Sequence, residues 1–380
     1  MTQTSKIYTP EYAQINFRVQ VRCGTKAEMS LSTPQLGLVC ITHGNAVRYR
    51  TLTRTRYLAF ENPGQKFDKL LELYTYNLEV LYAALEFCTT RKIGIYRITS
   101  DLFPLADWGD GVGFEVLETL KPRMAGFGLE SLKRGIRVVI HPDQFVVLNS
   151  TSKRVVRNSL KTLWYHAQIL DWLSLPRSSW TVMNIHGGKG GRSAQMIEIV
   201  RDLPDNIRSR LTLENDEYTY SAAQISNICL EAGIAMVFDV HHHIVREKLT
   251  RLDHPSIAAA VQLARATWNP KAWQLVHISS GKTGLHDAKH HALILEFPQA
   301  FRSVGYVEVE AKTKEIAIED LQARLEGRES TISLEALVNE PVQKRTKKSP
   351  LLEVISPEIA LEGPVTSPDK PKRKSKKLEQ

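Results

Sequence analysis

Val138-Val139-Ile140-His141-Pro142-Asp143-Gln144-Phe145 and Val182-Met183-Asn184-Ile185-His186-Gly187-Gly188 are apolar, β-branched runs that each stop on a histidine followed by a turn-forming Pro or Gly. Working outward, related runs are Leu211-Thr212-Leu213-Glu214, Val237-Phe238-Asp239 ahead of His241-His242-His243, Val276-His277-Ile278 and Val307-Glu308-Val309-Glu310. Six strands that end on metal-type ligands predict parallel strands whose C-terminal ends surround one mouth. That is the arrangement of a TIM (β/α)8 barrel, an α/β fold that keeps its chemistry at that mouth.

From Leu36 onward short apolar segments alternate with helical stretches of roughly 12–20 residues. The predicted strands are Leu36–Ile41, Gly94–Ile98, Arg137–Ile140, Thr181–Ile185, Leu211–Leu213, Ala235–Phe238, Gln274–Ile278 and Tyr306–Val309. Between them, Leu70, Leu73, Asn77, Leu81 and Leu85, or Leu160, Leu163, Ala167 and Leu170, keep helical spacing. This rhythm means a parallel sheet with right-handed crossovers. An open doubly wound sheet would usually carry a glycine-rich phosphate turn after an early strand, but Gly37 is followed by Leu38-Val39-Cys40.

The chain of 380 residues is long enough for one large barrel domain with tails. Residues 1–33 show no clear period and are expected to be an N-terminal extension, 34–325 the barrel, and 326–380 a basic, disordered tail. Of the net charge of +9, residues 341–380 carry +5, with 10 Lys/Arg against 5 Asp/Glu. Such a tail suits a polyanion. No run approaches the roughly 18 apolar residues of a membrane span, and Met1-Thr2-Gln3-Thr4-Ser5-Lys6 lacks a signal core, so a cytoplasmic monomer without a membrane partner is expected. The four cysteines, Cys23, Cys40, Cys88 and Cys229, lie far apart, which excludes a Cys-x-x-Cys zinc site.

Imidazoles and carboxylates without thiolates fit Mn2+ or Zn2+ better than an all-oxygen Mg2+ or Ca2+ site. Glu214 can bridge two ions with its two oxygens. Glu308 and Glu310 share a strand face, and Glu310, nearer the C-terminal end, is the preferred ligand. So many donors exceed what one ion can use, and closely spaced ions suit phosphodiester hydrolysis.

Read in order over roughly residues 34–315, the motifs resemble the UV damage endonuclease family, metal-dependent DNA repair enzymes with a TIM-barrel fold related to endonuclease IV. The strings are Leu36-Gly37, Tyr96-Arg97-Ile98, Leu102-Phe103-Pro104, His141-Pro142-Asp143-Gln144-Phe145, Asn184-Ile185-His186-Gly187-Gly188, Leu213-Glu214-Asn215-Asp216, Asp239-Val240-His241-His242-His243, Val276-His277-Ile278-Ser279 and Glu310-Ala311-Lys312. The resemblance implies nicking of UV-damaged double-stranded DNA immediately 5′ to the photoproduct, with two or three divalent ions, usually Mn2+, Zn2+ or Mg2+ being alternatives. It places the metal ligands on His141, His186, Glu214, Asp239, His242, His277, His286 and Glu310, with His290 and His291 as neighbours of His286. Glu214, His141, His186 and Glu310 are the expected catalytic residues, and Gln144-Phe145 the pair that probes the lesion.

Two positions depart from the family pattern. Pro104-Leu105-Ala106-Asp107-Trp108 lacks the family's usual histidine, for which Asp107 could stand in, and Leu275 occupies the place of a common lysine two residues before the strand-seven His. These departures favour two ions over three. Competing functions are a barrel sugar isomerase, which also uses His, Glu and Asp with divalent ions, and a non-catalytic damaged-DNA-binding paralogue.

Overall fold

Eight apolar segments close on one another in chain order: β1 (Gln35–Val39), β2 (Ile95–Ile98), β3 (Arg137–Ile140), β4 (Met183–His186), β5 (Leu211–Glu214), β6 (Ala235–Asp239), β7 (Leu275–Ile278) and β8 (Tyr306–Val309). Every pairing is parallel, and β8 returns to β1, where Glu308 lies opposite Gly37. The fold is the (β/α)8 barrel, not an open doubly wound sheet. The structure, a computed structural model, describes residues 33–142, 145–330 and 332–333. Nearly all of the N-terminal extension and most of the basic tail anticipated from the sequence lie outside these residues, as does Gln144.

The outer helices bury the faces that their spacing announced. In helix Pro63–Thr90, Asn62 caps the N-terminus, Pro63 occupies the first turn, and Leu70, Leu73, Asn77, Leu81 and Leu85 are buried. Asn77 is the polar member of that stripe. Its amide oxygen accepts from Arg50 N at 2.9 Å, and its amide nitrogen donates to the carbonyls of Arg50 (2.9 Å) and Leu102 (2.8 Å). One side chain thereby ties the loops that follow β1 and β2. No helix among the described residues is long and apolar enough to cross a membrane.

The barrel interior is layered, and the layering follows from the two-residue period of strands. Ile95, Val139, Val182, Val237 and Leu275 form a buried apolar layer with Ala235 and Trp268. Two residues further along the same strands come Arg97, His141, Asn184, Asp239 and His277. The change from hydrocarbon to ligand chemistry therefore occurs in a single step along the barrel axis.

Below the apolar layer Arg137 closes the other end. Its guanidinium is fully buried and donates to the carbonyls of Trp180 (2.8 Å), Ser179 (2.7 Å) and Trp273 (2.8 Å). It also lies 4.7 Å from the Tyr306 ring and 5.3 Å from those of Trp180 and Trp268. Burial lowers its pKa to about 10, a sign of how little solvent reaches this floor. Arg137→Met would strand three carbonyls at about 1–3 kcal/mol each. A loss of at least about 3 kcal/mol in urea denaturation is expected; a loss below about 1 kcal/mol would mean that the floor repacks around the change.

Candidate metal centre

The strand ends aim four donors at Glu214, which sits at the end of β5 and is 2% exposed. Its Oε2 lies 3.6 Å from His141 Nε2, and its Oε1 lies 3.1 Å from His277 Nδ1 and 3.5 Å from His242 Nδ1. The rings of His141 and His186 are 5.4 Å apart, and those of His186 and His242 5.5 Å. Among the described residues, two groups each bring one donor atom per residue within 4.8 Å of one another: His141 with His186 and Glu214, and Glu214 with Asp239 and His277. Glu214 belongs to both, as a bridging carboxylate would.

The donors are held by backbone contacts that also choose their tautomers. His141 Nδ1 lies 2.8 Å from the Pro142 carbonyl, which can only accept, so Nδ1 carries the proton and Nε2 presents a lone pair. His242 Nδ1 likewise faces the Asn215 carbonyl at 2.9 Å. Asp239 Oδ1 caps the helix Val240–Glu247 by accepting from His242 N at 2.7 Å, which brings the two ligand types together around the turn. Asn215 clamps the Asp239 backbone, donating to its carbonyl at 2.9 Å and accepting from its N–H at 3.0 Å.

Among the described residues, Asp239 Oδ2 and His186 Nδ1 are buried atoms with no hydrogen-bond partner. Buried polar atoms are seldom left so. Two orphans, one in each donor group, fit divalent cations bound at those groups.

Burial opposes charge on all of these groups, and the pairing overrides it. His277, flanked by Glu214 and Glu308, is held well above the usual histidine range, and His242 rises to about 9 beside Asp239, Glu214 and Glu217. Glu214 stays well below the carboxylate range because of His277 and His186, while Arg97 and His277 hold Glu308 at about 2. Burial lowers His186, leaving it neutral and ready to ligate.

Not every expected ligand arrives. His286 Nε2 is engaged by the Leu249 carbonyl at 2.7 Å, whereas His290 Nε2 lies 3.9 Å from Glu310 Oε2. The loop after β7 thus turns His290 toward Glu310 and His286 toward Leu249. His291 is occupied locally, its Nδ1 accepting from Leu293 N at 3.0 Å. Asp107 does not stand in at the mouth either; its carboxylate lies 3.5 Å from Lys161 Nζ. Trp108 is covered by Arg54 at 4.5 Å, and Leu275 is fully buried in the apolar layer. Phe145 is 73% exposed beyond β3, and Tyr218, which sequence reading passed over, is 79% exposed beyond β5.

Three further polar groups escaped the sequence. Asn184 Nδ2 donates to Glu214 Oε2 while its Oδ1 accepts from Thr212 Oγ1 at 2.8 Å, fixing the bridging carboxylate from below. Glu217 Oε1 stands 3.6 Å from His242 Nε2. Arg97 Nη1 pairs with Glu310 Oε1 at 2.7 Å. The available signal for Arg97 was a charge inside an otherwise apolar strand, Ile95-Tyr96-Arg97-Ile98.

Comparison with known proteins gives a consistent picture. The family model described as UV-endonuclease UvdE matches residues 34–338. The chain is 47% identical over 323 residues to the UV DNA damage endonuclease of Nostoc sp., covering 85% of this chain and 96% of that one. Identity to the UV DNA damage endonuclease of Deinococcus radiodurans is 45% over 292 residues, covering 77% and 95%. Among solved structures it is similar to the crystal structure of SacUVDE, with a TM-score of 0.64, 28% identity, and coverage of 75% and 95%.

The protonation pattern sets a pH test. His242 is raised above its unfolded value of 6.5, so its stabilising effect is complete below pH 6.5 and is lost as pH rises through about 9. Glu308 is lowered from 4.5, so its effect is present above pH 4.5 and is lost as pH falls through about 2. Cation binding needs deprotonated imidazoles and strengthens as pH rises. In EDTA the melting temperature should fall between pH 6.5 and 9, and Mn2+ should offset that fall; equal falls with and without Mn2+ would remove these histidines from the ligand set.

Proposed function

Since the chain belongs to the UV-endonuclease family, and is thereby a UV-damage DNA repair endonuclease, we propose that it hydrolyses the phosphodiester immediately 5′ to UV photoproducts in duplex DNA with the help of divalent ions, Mn2+ first among them. The observation that carries the metal assignment is the pair of donor groups sharing Glu214. Family membership leaves the sugar-isomerase alternative without support.

His141, His186 and Glu214 would hold one ion, and Glu214, Asp239 and His277 the other, with His242 and Glu310 at its edge. Bound there, divalent ions supply a water of lowered pKa and neutralise charge on the phosphate and the leaving oxygen. The chain's own residues do the rest. Asn184 orients the shared carboxylate, and the Pro142 and Asn215 carbonyls keep lone pairs on His141 Nε2 and His242 Nε2 directed away from the backbone.

The rim supports a nucleic-acid substrate. Arg48, Arg50, Arg56 and Lys69 line a groove of about 880 Å³ beside the ends of β1 and β2 with Tyr49, Asp101 and Glu72, the last paired with Arg50 and Lys69, so that the lining keeps an excess of cations. Cationic side chains there can follow a phosphate backbone. Phe145, with its neighbour Gln144, is proposed to enter the duplex at the lesion, where weakened stacking lowers the cost of opening a step. The Lys/Arg-rich segment 341–380 is proposed to add affinity for DNA.

Glu214→Gln should reduce nicking of UV-irradiated plasmid in Mn2+ by at least about 100-fold while leaving the melting temperature in EDTA within a few degrees. Undiminished nicking would sink the assignment, and a wild-type chain that binds but never nicks would favour the non-catalytic reading. Phe145→Ala should lower the preference for irradiated over unirradiated DNA and leave Mn2+ affinity unaltered. An unchanged preference would place the lesion sensor elsewhere on the rim, Tyr218 being the next aromatic to test.

A further inference from the structure

The two nitrogens of His277 face opposite chemistries. Nδ1 lies 3.1 Å from Glu214 Oε1 and 3.6 Å from Glu310 Oε1, on the side of the donor cluster. Nε2 lies 2.7 Å from Glu308 Oε2 and 3.0 Å from Arg97 Nη2. A bare nitrogen lone pair facing a carboxylate oxygen at 2.7 Å would be repelled. At 2.7 Å the Glu308 contact is shorter than the one to Arg97 Nη2 and favours a proton on Nε2; in the metal-free ring Nδ1, facing Glu214, carries a proton as well, and that is the one a cation would displace.

We propose that Glu308 is a positioning residue of the metal centre: it accepts the Nε2–H of His277 and so leaves Nδ1 as the one nitrogen that this ring can offer to a cation, while Arg97 locks Glu308 in that role. The inference rests on the metal-centre reading above and deepens it by separating the residues that would touch the ion from one that would not.

Four observations converge on this division of labour. First, both Glu308 oxygens are committed, Oε2 to His277 and Oε1 to Arg97 Nε at 2.7 Å, and the residue is 1% exposed. Among the described residues it belongs to neither donor group. Second, Arg97 spans both carboxylates of β8 and its continuation, with Nε on Glu308 and Nη1 on Glu310 at 2.7 Å. One guanidinium thereby offsets one of the two negative charges and sets the distance between the carboxylate that orients and the carboxylate that would ligate.

Third, strand register leaves no other candidate. His277 is paired directly with Glu308 across β7 and β8, and Leu275, two residues earlier on the same face, is apolar and buried. Fourth, the closing seam is shaped for Glu308. A Cβ added to Gly37 would stand 3.2 Å from Glu308 Cγ and 3.0 Å from Ile95 Cβ, so only glycine gives this side chain its full room. A metal-bound imidazole whose other nitrogen donates to a carboxylate is a recurrent device: it fixes the tautomer and the ring plane and raises ligand basicity.

The test uses the full chain, with Mn2+ affinity measured by titration calorimetry and the protonation of His277 read by 15N NMR of histidine-labelled protein loaded with diamagnetic Zn2+. Wild type should show Zn2+-loaded His277 protonated at Nε2. Glu308→Leu should weaken Mn2+ binding by about 10–100-fold, Glu308→Gln by less because its amide oxygen still accepts, and Glu308→Asp should recover part of the loss. Because Glu308→Leu leaves Arg97 without one of its partners, R97M/E308L serves as the variant that removes both charges together and should bind Mn2+ as weakly. Affinity within twofold of wild type in Glu308→Gln and R97M/E308L, or a His277 protonated at Nδ1 with Zn2+ bound, would overturn the proposal and leave the metal centre standing. A wild-type chain that takes up neither Mn2+ nor Zn2+ would overturn both.

Discussion

Glu214 meets His141, His242 and His277 at 3.1–3.6 Å inside a barrel mouth from which water is largely excluded. Crowding ionisable groups into low dielectric is costly unless every charge is matched, and the rest of the centre can be understood as that matching. Glu214 is balanced by imidazoles. Glu308 and Glu310 are balanced by Arg97 together with His277, Arg97 reaching from β2 across the ring to contact groups on β7 and β8. A divalent cation adds positive charge to an acidic cluster while displacing imidazolium protons, so the metal-free and metal-loaded states can both stay close to neutral.

The barrel is what makes this matching stable in space. Inward side chains of parallel strands change character every second residue, so an apolar layer lies one step below the ligands and gives them a rigid base. Arg137 and its aromatic surroundings seal the opposite end with carbonyl partners, and both donor groups found among the described residues lie at the mouth around Glu214. Selectivity for the upper mouth is thus built into the distribution of carboxylates along the barrel axis.

How much of this could be read from the chain depends on how local each feature is. All eight strands were legible because each is a short apolar run between turn residues, and the largest boundary shifts were two residues, as at β1 and β4. The clustering of candidate donors at strand ends was legible for the same reason: His141, His186, Glu214, Asp239 and His277 sit where an apolar run stops. Features that depend on who faces whom across the barrel were not. Arg97 meets Glu308 at a separation of 211 residues, and no spacing rule relates them. Which of His286 and His290 faces Glu310 turned on the path of an irregular loop, where chain distance does not fix direction. Tyr218 went unread because a lone aromatic in a loop carries no period.

The seam between β8 and β1 gives the centre a temporal dimension. Glu310 follows the last strand and Glu308 is packed against Gly37 of the first, so the ligand set is incomplete until some 270 residues of chain have joined end to end. Contacts of such long range form late in folding. A chain still emerging from the ribosome, or one truncated before β8, holds imidazoles and one bridging carboxylate but lacks both the clamp and the last acidic donor. Ion capture by the proposed centre would therefore be coupled to closure of the ring, and a nuclease built this way would acquire its cutting chemistry only once its fold is whole.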